Sequence, residues 1–237
     1  MENKVSAKNV RNKILSEYYE KIYQDYLFSR DLQGRGIDYF EKSLEKHWLN
    51  PIPSRVLEIG GGSGEHLKYL KYVPREEYVS LDLRLPSNGE HTQNLPKELL
   101  DSLRFEKGNA ESLPFGDSSF DRVYSTCLLH HVDDVLAVLM EARRVAQVGA
   151  EIAFLIPSDP GILNQIVKKL ISYPKMRKLS NIRPELSYAL DHKNHVAGIM
   201  ELIGFVFRED CLELSYRPFR IPSWNFNLLV LARIVKK

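Results

Sequence analysis

Apolar positions along the chain change period several times, and each change marks an element. In residues 10–30, Ile14, Tyr18, Ile22 and Tyr26 recur at every fourth position, which puts them on one face of a helix. A second helical stretch follows at 35–48 ("RGIDYFEKSLEKHW"), and "NPIPS" at 50–54 breaks it. Short apolar runs then alternate with helical ones. "RVLEIG", "EYVSLDL", "RFEKGN", "FDRVYST" and "AEIAFLIP" read as strands. Between them, "SGEHLKYLKY" reads as a helix ended by Pro74, and residues 84–102 as a loop with one short helix at "PKELLDSL". "DDVLAVLMEARRVA" reads as a helix with Asp133 at its N-cap. Strands separated by helices imply a mostly parallel sheet.

Past Pro157 the alternation stops. Residues 158–190 read as an insertion carrying Lys168, Lys169, Lys175, Arg177, Lys178 and Arg183. "HKNHVAGIMELIGF" is a helical pattern, with Asp191 as its expected cap. "FVFREDCLELSY" and "FNLLVLARIV" follow as strands with only the aromatic loop "RPFRIPSWN" between them. Without an intervening helix they form most simply an antiparallel pair.

Composition narrows the class. A chain of 237 residues suits one large α/β domain, with or without a lid. The formal net charge of +2 argues against a dedicated nucleic-acid binder, which carries a strongly basic face. The two cysteines, Cys127 and Cys211, make no disulfide framework and fit free thiols in a reducing compartment. The polar N-terminus lacks an apolar signal core, and no run approaches the roughly 20 apolar residues of a membrane span. A cytoplasmic location is therefore expected.

Candidate chemistry centres on "VLEIGGGSGEHLKYL", residues 56–70. A phosphate-binding loop needs Gly-x-x-x-x-Gly-Lys-Ser/Thr; counted from Gly60, the second glycine falls on Glu65 and no lysine follows. A dinucleotide loop needs Gly-x-Gly-x-x-Gly, and its third glycine also falls on Glu65, where a carboxylate would oppose a pyrophosphate. The spacing present is Glu58-x-Gly60-x-Gly62-x-Gly64. It resembles the first motif of the class I S-adenosylmethionine-dependent methyltransferases. That cofactor carries no phosphate but bears an ammonium and a sulfonium, which a nearby carboxylate favours. The resemblance implies that Gly60, Gly61, Gly62 and Gly64 let the backbone approach its methionine end, with Glu58 near the positive charge. Asp82, beside Leu83 at the end of the next strand, is an acceptor for a ribose diol, a device shared with nicotinamide enzymes.

The stretch 108–134, "GNAESLPFGDSSFDRVYSTCLLHHVDD", resembles the subgroup that contains the ubiquinone and menaquinone C-methyltransferases. Its pattern is Gly-Asp-Ala-Glu-x-Leu-Pro-Phe, then Ser-Phe-Asp, then Leu-His-His-Val. The resemblance implies an adenine edge at Asn109, Ala110 and Glu111, and a cofactor floor at Thr126 and Cys127. This chain has Asn109 where the subgroup has an acid; the amide oxygen still accepts a hydrogen bond, without the charge. The implied fold is a Rossmann-like three-layer α/β sandwich: a seven-stranded, mostly parallel sheet with an antiparallel C-terminal strand. Residues 1–50 are expected to form a helical cap and 51–237 the methyltransferase domain, with lid insertions at 158–190 and 215–225 on the acceptor side.

Methyl transfer is an in-line displacement from an activated donor, so alignment and exclusion of water matter most. A base is needed only where the acceptor must lose a proton. His131 and His195 are the candidates for that role, and Tyr18 and Tyr19 for closing over the cofactor. His192 and His195 have a spacing that suits a metal, but no third ligand is evident in the sequence, and no metal is expected. Cys127 lacks the Pro-Cys context of covalent pyrimidine methylation. The expected acceptor is a small molecule with an oxygen, nitrogen or carbon nucleophile. The lysines beside apolar positions at 161–178 read either as a lid helix with a solvated outer face or as a pocket or surface for an anionic, lipid-linked or membrane-proximal acceptor. Two alternatives are an NAD(P)-dependent oxidoreductase and an inactive S-adenosylmethionine-binding partner protein.

Overall fold

A computed structural model describes residues 6–21, 32–46, 51–86, 92–179, 181 and 183–237. Two helices lead: α1 (Ala7–Lys21) and α2 (Leu32–Lys46). The expected positions Ile22 and Tyr26 lie outside the described residues. Five strands follow, β1 (Arg55–Ile59), β2 (Glu77–Asp82), β3 (Leu103–Lys107), β4 (Phe120–Thr126) and β5 (Ala146–Pro157). The short α3 (Lys97–Ser102) precedes β3, and α4 (Val135–Val145) joins β4 to β5. After β5 come α5 (Ile162–Val167), a π-helical stretch Lys168–Ser172, α6 (Tyr173–Leu179), α7 (Pro184–Asp191) and α8 (Val196–Val206). The chain ends in β6 (Cys211–Arg217) and β7 (Leu229–Val235).

The seven strands form one sheet in the order β3-β2-β1-β4-β5-β7-β6. β1 to β5 are mutually parallel, and β7 runs antiparallel between β5 and β6. The chain leaves β1 towards one edge and returns at β4 to build the other. Ligands of open α/β sheets bind in the crevice that such a reversal leaves beyond the strand carboxyl ends.

The period of two along each strand divides the sheet into unlike faces. Leu57, Ile59, Val79, Leu81, Val123 and Ile152 point to one side, where they pack against Val138, Leu139 and Val145 of α4 and Ile199 and Ile203 of α8. The other side carries Glu58, Tyr78, Ser80, Arg122 and Tyr124, all buried. Leu44 of α2 covers this polar face together with Leu67. Arg122 is fully buried there. It donates to both carboxylate oxygens of Glu45, at 3.1 and 3.0 Å, and to the Tyr72 hydroxyl.

Three local expectations are corrected. The helix over "SGEHLKYLKY" is instead a series of turns with one 3-10 turn, Leu67–Tyr69. Gly60, Gly62 and Gly64 all take positive φ, and His66 and Tyr69 are pulled towards α2 by Glu41, Glu45 and Asp38, which leaves no room for a regular helix. The N-cap of α4 is Asp134, whose side chain accepts from the Ala137 amide at 3.0 Å; Asp133 turns outward to Lys193. Asp191 does not cap α8. It closes α7, and His195 occupies the α8 N-cap with no side-chain bond.

Among the described residues, no helix is long and apolar enough to cross a membrane. Replacing Glu45 with Ala leaves Arg122 charged and buried without its carboxylate. We expect a loss of about 3–5 kcal/mol, read as a lowered urea midpoint with an unchanged slope.

Candidate active site

The glycine loop leaves the carboxyl end of β1 at the reversal point. Gly60, Gly62 and Gly64 have φ of 78°, 54° and 87°, values that side-chain-bearing residues rarely adopt. Gly61 is required for another reason. A Cβ there would collide with Ser80 Oγ and lie 2.8 Å from Glu58 Oε2. The loop is therefore pressed onto β1 and β2 with nothing between. Asp82, at the end of β2, holds it from the side: one carboxylate oxygen accepts the Gly62 amide at 3.1 Å and the other the Arg84 amide at 3.0 Å.

Beneath the loop lies the polar face of the sheet. Glu58 is 1% exposed and accepts from the Tyr78 hydroxyl at 2.7 Å; Tyr78 in turn shares a hydrogen bond with Tyr124. Burial pushes the Glu58 carboxyl up to about 7, against the pull of His66 and Tyr78. His66 sits between two carboxylates, 2.6 Å from Glu41 and 3.0 Å from Glu45. Burial draws its imidazole down, but those two partners outweigh it and raise it to about 10. His66 is thus held in its cationic form at neutral pH below the loop. Sequence reasoning passed over it because its partners lie 21 and 25 positions away on α2.

On the far side of the crevice, Cys127 ends β4 in a left-handed conformation, φ 54°, and its amide donates to Leu155 at 2.9 Å. Burial raises its thiol well above the usual range, which keeps it protonated and removes it as a nucleophile. Leu128 then lies against Gly60, so the chain carrying the two histidines crosses directly over the glycine loop. Asn109 and Glu111 are engaged locally. The Asn109 amide oxygen accepts the Glu111 amide at 3.0 Å, and the Glu111 carboxylate accepts the Asp133 and Asp134 amides at 2.9 Å, fixing the start of α4. Ala110 is buried in the core, Thr126 is half-buried, and Leu83 stands 65% exposed at the mouth of the crevice.

His131 and Tyr19 meet through a residue the sequence did not single out for this role. The Tyr19 hydroxyl lies 2.9 Å from both Asp191 oxygens, and His131 Nδ1 lies 3.3 Å from Asp191 Oδ1. The Arg84 guanidinium, two residues past Asp82, lies 5.8 Å from the centre of the Tyr19 ring. Tyr19 therefore bridges the end of β2 and the histidine side of the crevice. Tyr18 is buried against it edge to face. His195 stands apart, exposed, whereas His192 packs edge-on against His130 and His131.

Comparison with known proteins now bears on this geometry. Residues 57–154 match the family model described as "Methyltransferase domain". That stretch is similar to the methyltransferase domains of the class I S-adenosylmethionine-dependent enzymes. A demethylmenaquinone methyltransferase of Roseiflexus castenholzii is 36% identical over 151 residues, which cover 58% of this chain and 61% of that protein. A ubiquinone/menaquinone biosynthesis C-methyltransferase of Dinoroseobacter shibae is 31% identical over 140 residues, covering 58% of this chain and 56% of that protein. The chain thus spans about six tenths of the length of these curated relatives. A phosphoethanolamine N-methyltransferase of Haemonchus contortus, solved with S-adenosylhomocysteine, shares the fold with a TM-score of 0.57 at 13% identity, over 97% of this chain and 59% of that one.

The raised His66 gives this protein a specific pH dependence. Its protonated form is favoured by the fold, so its contribution is complete below its ordinary 6.5 and is lost as pH rises towards 10. Urea unfolding between those limits should show stability falling with pH, and His66→Gln should flatten that fall. An equal slope in both proteins would refute the assignment.

Proposed function

We propose that this chain is an S-adenosylmethionine-dependent methyltransferase acting on a small-molecule acceptor. The observation that carries the reading is the strained glycine loop at the sheet reversal, tied to Asp82 through the Gly62 amide. The donor set suits the cofactor, because carboxylates flank the loop at Glu58 and Asp82. In this reading Gly60, Gly61, Gly62 and Gly64 seat the methionine end, and Asp82 receives the ribose. Asn109 and Ala110 edge the adenine, with Leu83, Thr126 and Cys127 on its walls. Glu111 acts by anchoring α4, and Glu58 acts from beneath the loop. When bound, the cofactor supplies a methyl group on a sulfonium, which needs alignment more than activation.

The chain's own groups do the rest. Helix α1 caps the crevice through Tyr19, which excludes water and fixes Asp191. Asp191 in turn orients His131 on the acceptor side. The insertions at 158–190 and 215–225 enclose the acceptor. The likeness to the two quinone methyltransferases makes a quinone carbon the first acceptor to test, ahead of oxygen and nitrogen nucleophiles. A lipid-linked acceptor also fits the surface at 161–178. Ile162, Ile166 and Leu170 are 57%, 48% and 73% exposed beside Lys169, an apolar and basic face suited to an anionic membrane surface. Lys168, by contrast, turns inward to Asp159.

Calorimetry should show S-adenosylmethionine and S-adenosylhomocysteine binding and NAD(P)H not binding. Gly61→Ala should weaken the former at least tenfold, since its Cβ must displace Ser80 and Glu58. Mass analysis of an acceptor panel headed by demethylmenaquinone should then find an added methyl. Dinucleotide binding without S-adenosylmethionine binding would overturn the reading. On anionic vesicles, Leu170→Glu should reduce co-sedimentation severalfold; equal sedimentation would remove the membrane contact.

A further inference from the structure

His130, His131 and His192 come together from two distant parts of the chain. Their ring centres are 3.8, 4.3 and 5.2 Å apart, and one nitrogen from each lies within 4.8 Å of the other two. The backbone fixes this meeting. The Lys193 and Asn194 amides donate to the His130 carbonyl at 2.8 and 3.2 Å. The Asn194 side chain donates to the Leu129 and Val132 carbonyls at 3.1 and 2.8 Å.

Two further observations give the cluster a purpose. Two of its imidazoles are held from behind by carboxylates. Asp191 lies 3.3 Å from His131 Nδ1, and Asp159 lies 3.1 Å from His192 Nδ1. That arrangement fixes ring orientation and leaves Nε2 of each ring as the ligand atom, which is how metal-bound histidines are supported. The third imidazole, His130, is 5% exposed, and its Nδ1 has no hydrogen-bond partner. A buried nitrogen in that state costs about 1–3 kcal/mol unless something binds it.

Charge agrees. Asp159 and Asp191 bring two negative charges, and Lys168, 2.6 Å from Asp159, brings one positive charge. The three charged side chains that back the cluster thus carry a net negative charge, which a cation balances.

We propose that His130, His131 and His192 form a binding site for one first-row divalent transition cation of the zinc class. Three imidazole nitrogens suit zinc, cobalt or nickel, whereas magnesium and calcium require oxygen ligands. Metal–nitrogen bonds of about 2.0–2.1 Å need the three nitrogens about 3.3 Å apart, a closure of up to about 1.5 Å from the 4.8 Å limit. The His131 and His192 side chains are 26% and 14% exposed, so the site opens to one side and leaves a coordination position for water or an oxygen ligand. Use of that position by an acceptor oxygen rests on the methyltransferase reading; occupancy of the site does not.

The test uses the untagged full chain, stripped with a chelator. Zinc titrated by calorimetry should bind one per chain, and cobalt should give visible d–d absorption of a site with histidine ligands. His131→Ala and His192→Ala should each weaken zinc at least a hundredfold, and Asp159→Asn about ten- to a hundredfold. The Cys211→Ser variant, which removes an exposed thiol, should bind as the parent does. S-adenosylmethionine affinity measured on the same variants reports whether they fold, and separates this proposal from the cofactor reading. The proposal is overturned by zinc binding no tighter than about 100 μM, or by affinity unchanged in His131→Ala and His192→Ala.

Discussion

The buried ion pair between Arg122 and Glu45 is the constraint on which the polar half of this protein rests. A guanidinium with no exposed surface, on a central strand, demands a carboxylate with good geometry, and α2 supplies it. The same carboxylate reaches His66, and His66 reaches Glu41, so one charge in the sheet recruits a helix and a turn. A central strand lined only with aliphatic residues would bury α2 without fixing its position. The ionic network fixes it, because a shift of one residue would strand several charges at once.

That network lies directly beneath the glycine loop. Glu58, Tyr78 and Tyr124 continue it upward to the point where Gly61 touches the sheet. The loop is thus shaped from two directions, by its own positive-φ glycines and by a rigid polar floor. Its third tether, Asp82, is also the group assigned to the ribose. Each carboxylate oxygen accepts more than one hydrogen bond, so holding the loop and receiving a ligand are compatible tasks.

Across the crevice the logic differs. The chain after β4 and the chain after α7 are joined by hydrogen bonds that the Lys193 and Asn194 amides donate to the His130 carbonyl, and their side chains assemble a histidine and carboxylate cluster. Tyr19 of α1 closes this arrangement from above through Asp191. The two walls therefore divide the work: one is built of backbone and carboxylate, the other of imidazole. Neither wall is continuous in sequence.

Much of the fold was legible in the sequence because it depends on local patterns. Strand positions followed from short apolar runs, the antiparallel pair at the end from the missing helix, and the loop from glycine spacing, since only glycine permits those dihedrals. The errors fell where distant partners overrode local preference. "SGEHLKYLKY" has a helical pattern, yet His66 and Tyr69 answer to α2. Asp191 looks like a cap, yet it serves Tyr19 and His131. His192 seemed paired with His195 by spacing, yet the turn between α7 and α8 sends them apart and brings His192 to His130 and His131. The sequence alone determined the order of the strands and the character of the loop, because backbone sterics and hydrophobic period act between near neighbours. Only the tertiary structure decided which charges meet, because buried groups choose partners by distance in space.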